Sequence, residues 1–271
     1  MLILLRSILL RIHLVLITAV IGIFALFTLF RRDWALETGK FWSRSVLFGA
    51  RLFCGVRHDV LHPERIPQGG ALIAAKHQSF WETMALTTIL PNPCFVLKKE
   101  LLLIPVFGWW LRACGFIWID RKAGTASMRK IMTAAERELA AGRQIVIFPE
   151  GTRTPPGKTS PYQPGVAGLY ASLGVPCIPV AHNSGLYWRQ PGLVRVPGEI
   201  SISFEEPIPA GLKRKAFMRD LQGVIESRSL QLAGITSAAT GQATTEQANT
   251  GPAATGQATG KADATGDIVR P

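Results

Sequence analysis

Two short segments hold the side chains best suited to chemistry: AAKHQSFWET, from Ala74 to Thr83, and IVIFPEGTRT, from Ile145 to Thr154. His77 follows an apolar run that reads as a strand and precedes Ser79, a good helix N-cap. It is therefore expected at the carboxyl end of a sheet beside a helix start, where α/β proteins place ligands. An imidazole there can take a proton from an attacking hydroxyl. Glu82, about one helical turn along, can hold the ring in the tautomer that leaves its other nitrogen free, as the carboxylate of a catalytic triad does. The same side chain also completes Ser79-Phe80-Trp81-Glu82, a capping box in which the carboxylate serves backbone N–H groups instead. Spacing alone does not choose between the two. In the second segment, Phe148-Pro149-Glu150-Gly151-Thr152-Arg153 ends a strand in a glycine turn. Backbone N–H groups freed by that turn and the Arg153 guanidinium can together clamp an anion such as a phosphate, the alternative for Arg153 being a surface salt bridge. Gly151 to Thr159 imitates a nucleotide-binding P-loop, but it has five residues between its glycines, two of them proline, and no helix signal after Lys158.

The elements that must position these residues alternate short apolar runs with helical ones, which is the α/β pattern. Candidate strands are Ala71 to Ala75, Cys94 to Leu97, Phe116 to Ile119, Gln144 to Phe148, Cys177 to Val180 and Glu199 to Phe204. Candidate helices run through Ser79 to Leu90, Thr125 to Ala141, Val166 to Leu173 and Lys213 to Leu230. His58 and His62 are spaced like a helical metal pair, but Pro63 makes a loop the better reading, and no metal site is expected.

Composition adds a membrane. The chain of 271 residues is 48% hydrophobic, with a mean hydropathy of +0.22, high for a soluble enzyme. Leu14 to Phe30 is almost purely apolar and long enough to span or embed, extending back to Ile8 if Arg11 and His13 snorkel. Arg31-Arg32 closes it like a stop-transfer signal, which would put the rest of the chain in the cytoplasm. Trp34 to Val56 interleaves aromatics with Lys40, Arg44 and Arg51; it reads either as an interfacial amphipathic helix or as an ordinary packing helix. The expected division is a membrane-anchoring helical region over 1–56, an α/β domain over 57–235, and a disordered low-complexity tail over 236–271, whose Ala/Thr/Gly/Gln composition has little to bury. The formal charge of +12 belongs to the first two parts, and beside an apolar segment it points to anionic lipid headgroups and not to nucleic acid. Cys54, Cys94, Cys114 and Cys177 lie in apolar runs without metal-ligand or disulfide spacing and read as reduced core residues.

A histidine, four residues, an acid, and later FPEGTRT resemble the glycerophospholipid acyltransferase family, in particular its 1-acyl-sn-glycerol-3-phosphate acyltransferase (lysophosphatidic acid acyltransferase) branch. The second block matches in full; Glu82 stands where the family usually has Asp. Lys98 to Arg121 and Val175 to Gly185 resemble two further blocks, so that the likeness covers about Arg57 to Phe204. The resemblance implies a single α/β acyltransferase domain with a mainly parallel or mixed sheet flanked by helices. It implies that His77, oriented by Glu82, deprotonates the sn-2 hydroxyl of lysophosphatidic acid. That hydroxyl would attack an acyl thioester directly, from acyl-CoA or acyl carrier protein, to give phosphatidic acid with no cofactor. It further implies phosphate contacts from Arg153, Arg121 and one of Lys98 or Lys99, with Glu150, Gly151 and Thr152 shaping the turn and Pro179 shaping the wall of the pocket. The residues agree with direct transfer: no G-x-S-x-G elbow occurs, and Ser79 lies too close in sequence to His77 to be an obvious nucleophile. His182 reads as a satisfied polar residue near the site. The implied partners are the bilayer, the lyso-lipid and the donor, on the cytoplasmic face of a bacterial cell membrane. Two rivals stay open: another acceptor such as a lyso-ornithine lipid, and an inactive lipid-binding protein on the same fold.

Overall fold

A computed structural model describes residues 1–120, 124–189 and 191–235. Arg121 and the stretch from 236 onward lie outside them. The centre of the fold is β2 (Ala71–Ala75), an all-apolar run buried along its whole length. Strands covered on both faces read as continuous apolar runs, and β2 has parallel neighbours on each side: β5 (Gln144–Ile147) and β6 (Cys177–His182). The rest of the sheet is built outward from these three. β3 (Pro93–Lys98) and β4 (Ile117–Ile119) extend it past β5, while β7 (Gly198–Phe204) and β1 (Val56–Leu61) extend it past β6. The order is β1-β7-β6-β2-β5-β3-β4, and of these pairings only β6 with β7 is antiparallel. Because Ala74 pairs with Ile147, β2 and β5 end side by side, which brings the two sequence segments to one edge of the sheet.

The helices are α3 (Trp81–Ile89), α4 (Phe107–Ala113), α5 (Gly124–Ala140), α6 (Gly165–Leu173), the short α7 (Ser184–Tyr187) and α8 (Arg214–Leu232). Each expected strand and helix is present within a few residues. β1 was not expected: His58 lies on this edge strand and not in a loop, while His62 turns the chain with φ 57° just after it. Among the described residues no group of three or more His, Cys, Asp or Glu could hold a metal. The four cysteines are free and buried.

Two long helices, α1 (Leu2–Thr28) and α2 (Arg32–Cys54), form a hairpin against the domain. Gly49 allows the close approach: a Cβ there would stand 2.5 Å from the His13 ring, which itself hydrogen-bonds the Ser45 carbonyl. Trp42 Nε1 donates to Thr18 Oγ1 across the same seam. The packing reading of the second helix holds, and the helix also keeps an exposed apolar face. α2 buries Ala35, Leu36, Val46, Leu47 and Ala50, yet leaves Phe41, Phe48 and Leu52 exposed. α1 is exposed over most of its length, including Ile23, Phe24 and Phe27. Arg32, just past the end of α1, pairs with Glu138 on α5 at 2.9 Å. At the other end of α1, Ser7 Oγ accepts the Arg195 N–H at 2.9 Å.

Candidate active site

His77 leaves β2 two residues past its end and has both sides of its backbone fixed. Its N–H donates to Glu150 Oε2 at 2.6 Å, and its carbonyl accepts the Thr154 N–H at 2.8 Å. The FPEGTRT turn is thus tied to the histidine on each flank. Gly151, with φ 64°, supplies the left-handed residue that the turn needs. The imidazole stacks on Phe148 with ring centres 4.3 Å apart. Nδ1 is 2.8 Å from Glu82 Oε1, so Nδ1–H donates to the carboxylate and Nε2 keeps its lone pair, with no hydrogen bond among the described residues.

Glu82 is fully buried and does both jobs read from the sequence. Besides His77, its Oε1 accepts the N–H groups of Gln78 and Ser79 at 2.8 and 2.7 Å, the capping role. Its Oε2 accepts the hydroxyls of Ser79 and Ser184 at 2.6 and 2.9 Å. Burial would raise its pKa, but the neighbouring His182 and His77 imidazoles and the hydrogen bonds from His77 and Ser79 outweigh it and bring the carboxyl down to about 2. α3 begins at Trp81, whose N–H donates to Ser79 Oγ at 3.0 Å.

Beneath the histidine lies a charged cluster that sequence reasoning missed. Lys76, 1% exposed, donates to Glu150 Oε1 at 2.7 Å and to both oxygens of Glu226 on α8 at 2.8 Å. Tyr162 donates to Glu226 at 3.0 Å; burial, reinforced by the Glu226 and Glu150 carboxylates, pushes its phenol far up. His182 is also buried and polar, as read: Nε2–H donates to the Lys76 carbonyl and Nδ1 accepts the Ser184 N–H. Burial lowers its pKa from the ordinary imidazole value, opposed by the Glu82 carboxylate. The only local signal for Lys76 was a lysine directly after a fully apolar strand with no turn residue between.

A cleft of about 1330 Å³ opens over His77. Thr152, Arg153 and Lys98 line it at the polar end, and Arg153 and Lys98 are exposed with no ion pair among the described residues. Lys99 is not at the cleft; it is exposed and bonded to Asp120 at 2.9 Å, which raises its pKa. Pro179 also departs from expectation. It sits within β6 opposite Ala74 and is absent from the described lining, because the strand continues past it before the chain reaches the site. The rest of the lining is largely apolar, from Leu10 and Leu14 on α1 and Val46 on α2 to Met84, Phe107 and Leu111.

Residues 57–183 match the family model described as acyltransferase. The chain is also similar to 1-acyl-sn-glycerol-3-phosphate acyltransferases. It is 37% identical to one from Pseudomonas aeruginosa over 59% of this chain and 63% of that protein. It is 28% identical to the beta form from Homo sapiens over 59% of this chain and 58% of that protein. The matches thus span less than two thirds of either relative. The crystal structure of the 1-acyl-sn-glycerophosphate acyltransferase PlsC from Thermotoga maritima shares the fold, with a TM-score of 0.69 and 22% identity, covering 86% of this chain and 98% of that one.

Proposed function

We propose that this protein acylates the sn-2 hydroxyl of 1-acyl-sn-glycerol-3-phosphate from an acyl thioester, giving phosphatidic acid. The observation that carries this is the free Nε2 of a Glu82-oriented His77 in the same cleft as Arg153, Lys98 and a long apolar lining. His77 Nε2 takes the hydroxyl proton as the oxygen attacks the thioester carbonyl; the C–S bond then breaks and the leaving thiolate recovers the proton. Glu82 stays ionised and stabilises the imidazolium between these steps. Arg153 and Lys98 are read as the phosphate contacts, with Arg121 joining them from outside the described residues. No metal or cofactor enters this scheme, and the donor is acyl-CoA or acyl carrier protein.

The hairpin supports attachment to a membrane surface and not a crossing. Both ends of α1 approach the domain, one through Ser7 and Arg195 and the other through the adjoining Arg32 and Glu138. A helix held this way lies along one leaflet, on the cytoplasmic face in our reading. The decisive experiment gives the purified full chain radiolabelled acyl-CoA and a panel of lyso-lipids. Lysophosphatidic acid should be the preferred acceptor and His77→Ala should abolish transfer. A preference for lyso-ornithine lipid would reject the phosphate reading, and no transfer to any acceptor would favour a binding protein.

A further inference from the structure

Between β3 and α4 the chain exposes an apolar cluster that the reaction does not use. Leu103 is 76% exposed, Trp109 49%, Ile104 45% and Val106 37%. Their neighbours Leu101, Phe107, Trp110 and Leu111 line the cleft from within. The segment is therefore a thin wall, with the substrate cavity on one side and solvent on the other. Its backbone is strained: Val106 has φ 62° and ψ −55°, and the Phe107 N–H bonds the Pro105 carbonyl at 2.7 Å, a tight γ-turn that a β-branched residue rarely enters. Strain of this kind persists where the surroundings hold it for a purpose.

The wall adjoins the membrane hairpin. α4 packs on both α1 and α2, and Trp110 Nε1 donates to the Ala35 carbonyl at 2.7 Å. Lys98, Lys99 and Arg112 stand exposed around the cluster, with Glu100 and the Lys99-bound Asp120 as the nearby acids. Apolar residues at the centre, a cationic margin, and continuity with an exposed helical apolar face match an anionic lipid leaflet.

We infer that Leu103, Ile104, Val106 and Trp109 form a second membrane-insertion element that enters the same leaflet as the hairpin and puts the cleft wall within the lipid. This deepens the membrane-surface reading above and rests on it. The test uses the full chain in vesicles of phosphatidylcholine and phosphatidylglycerol. The native cysteines are buried, so Ile104→Cys takes a fluorophore selectively, with Gln68→Cys as an aqueous control and Phe24→Cys reporting the hairpin. Nitroxide lipids should quench the label at 104 about threefold more than at 68, and aqueous iodide should favour 68. Equal iodide quenching at 104 and 68 overturns the proposal. So does protection of 104 from both quenchers, which would mean a second copy or a carrier protein covers it. A label at 24 left in water while 104 enters lipid would reject the hairpin reading and leave the insertion element standing; the reverse pattern rejects the insertion element alone. As a functional arm, Leu103→Ser with Ile104→Ser should raise the apparent KM for lyso-lipid held in vesicles by about tenfold. Turnover on a water-soluble, short-chain lyso-lipid should not change; an equal loss on both substrates overturns the proposal.

Discussion

Glu82 accepts five hydrogen bonds and donates none, so its replacement tests shape and charge together. In Glu82→Gln an amide NH2 at the Oε1 position would face three N–H donors, so it would have to lie at the Oε2 position against the Ser79 and Ser184 hydroxyls, which must turn to accept. Turnover should fall on the order of 10²–10⁴-fold, and the start of α3 should loosen as well. Glu82→Asp keeps the charge and should retain more activity than Gln. The folded carboxyl lies at about 2, below its ordinary 4.5, so its stabilisation is present above pH 4.5 and is lost as pH falls toward 2. That contribution is on the order of 3 kcal/mol. Urea titrations should show wild type losing stability between about pH 4.5 and pH 2 more steeply than the Gln variant; parallel profiles would show that Glu82 is not ionised in the fold. Arg153→Ala should raise the apparent KM for lysophosphatidic acid at least about tenfold, from charge-assisted bonds worth about 1.5–3 kcal/mol, with donor KM little changed. A KM unchanged from wild type for both substrates would remove Arg153 from the phosphate site. His77, Glu82 and Arg153 were legible because each sits at a punctuation mark, a strand end or a cap. Lys76 and Glu226 were not, since burying a lysine requires a carboxylate that arrives 150 positions later.

At the level of elements, α8 contributes more than cover for the sheet. Phe217, Leu221 and Ile225 are its legible apolar stripe, but Glu226 falls off that stripe and is buried only because α8 packs on both β6 and α6. Through Lys76 and Glu150 it braces the backbone of His77. Lys76→Met should therefore destabilise by about 3–5 kcal/mol, since it leaves two buried carboxylates without their cation. Glu226→Gln, which leaves Lys76 its Glu150 partner, should cost less. Thermal melts of the two variants check the order, and a Glu226→Gln variant less stable than Lys76→Met would break the account. The buried strands were read almost to the residue because continuous apolar runs admit few alternatives. β1 escaped because Val56-Arg57-His58-Asp59-Val60-Leu61 is an edge strand that buries mainly Val56 and is defined by its pairing with β7.

For the molecule as a whole, the apolar N-terminus was plain in the sequence but its posture was not, because hydropathy measures greasiness and not which ends are tied down. A tag before Met1 should be cut by protease added to the same side of a sealed vesicle as the catalytic domain. Protection of the tag while the domain is cut would mean that α1 crosses. Removing residues 1–32 should lower recovery with membranes, whereas removing 236–271 should leave transfer nearly unchanged; loss of transfer in a folded tail-less protein would overturn the division. The residues that roof the cleft carry one more consequence. Leu10 and Leu14 of α1 and Val46 of α2 close it on the side where the exposed apolar helix faces lie. On the proposed function a lyso-lipid would enter sideways from the bilayer, and the concentration that matters would be its mole fraction in the surface and not its amount per volume of solution. Diluting it with inert phospholipid at constant bulk concentration should slow the enzyme as if substrate had been withdrawn, and adding more vesicles of unchanged composition should not.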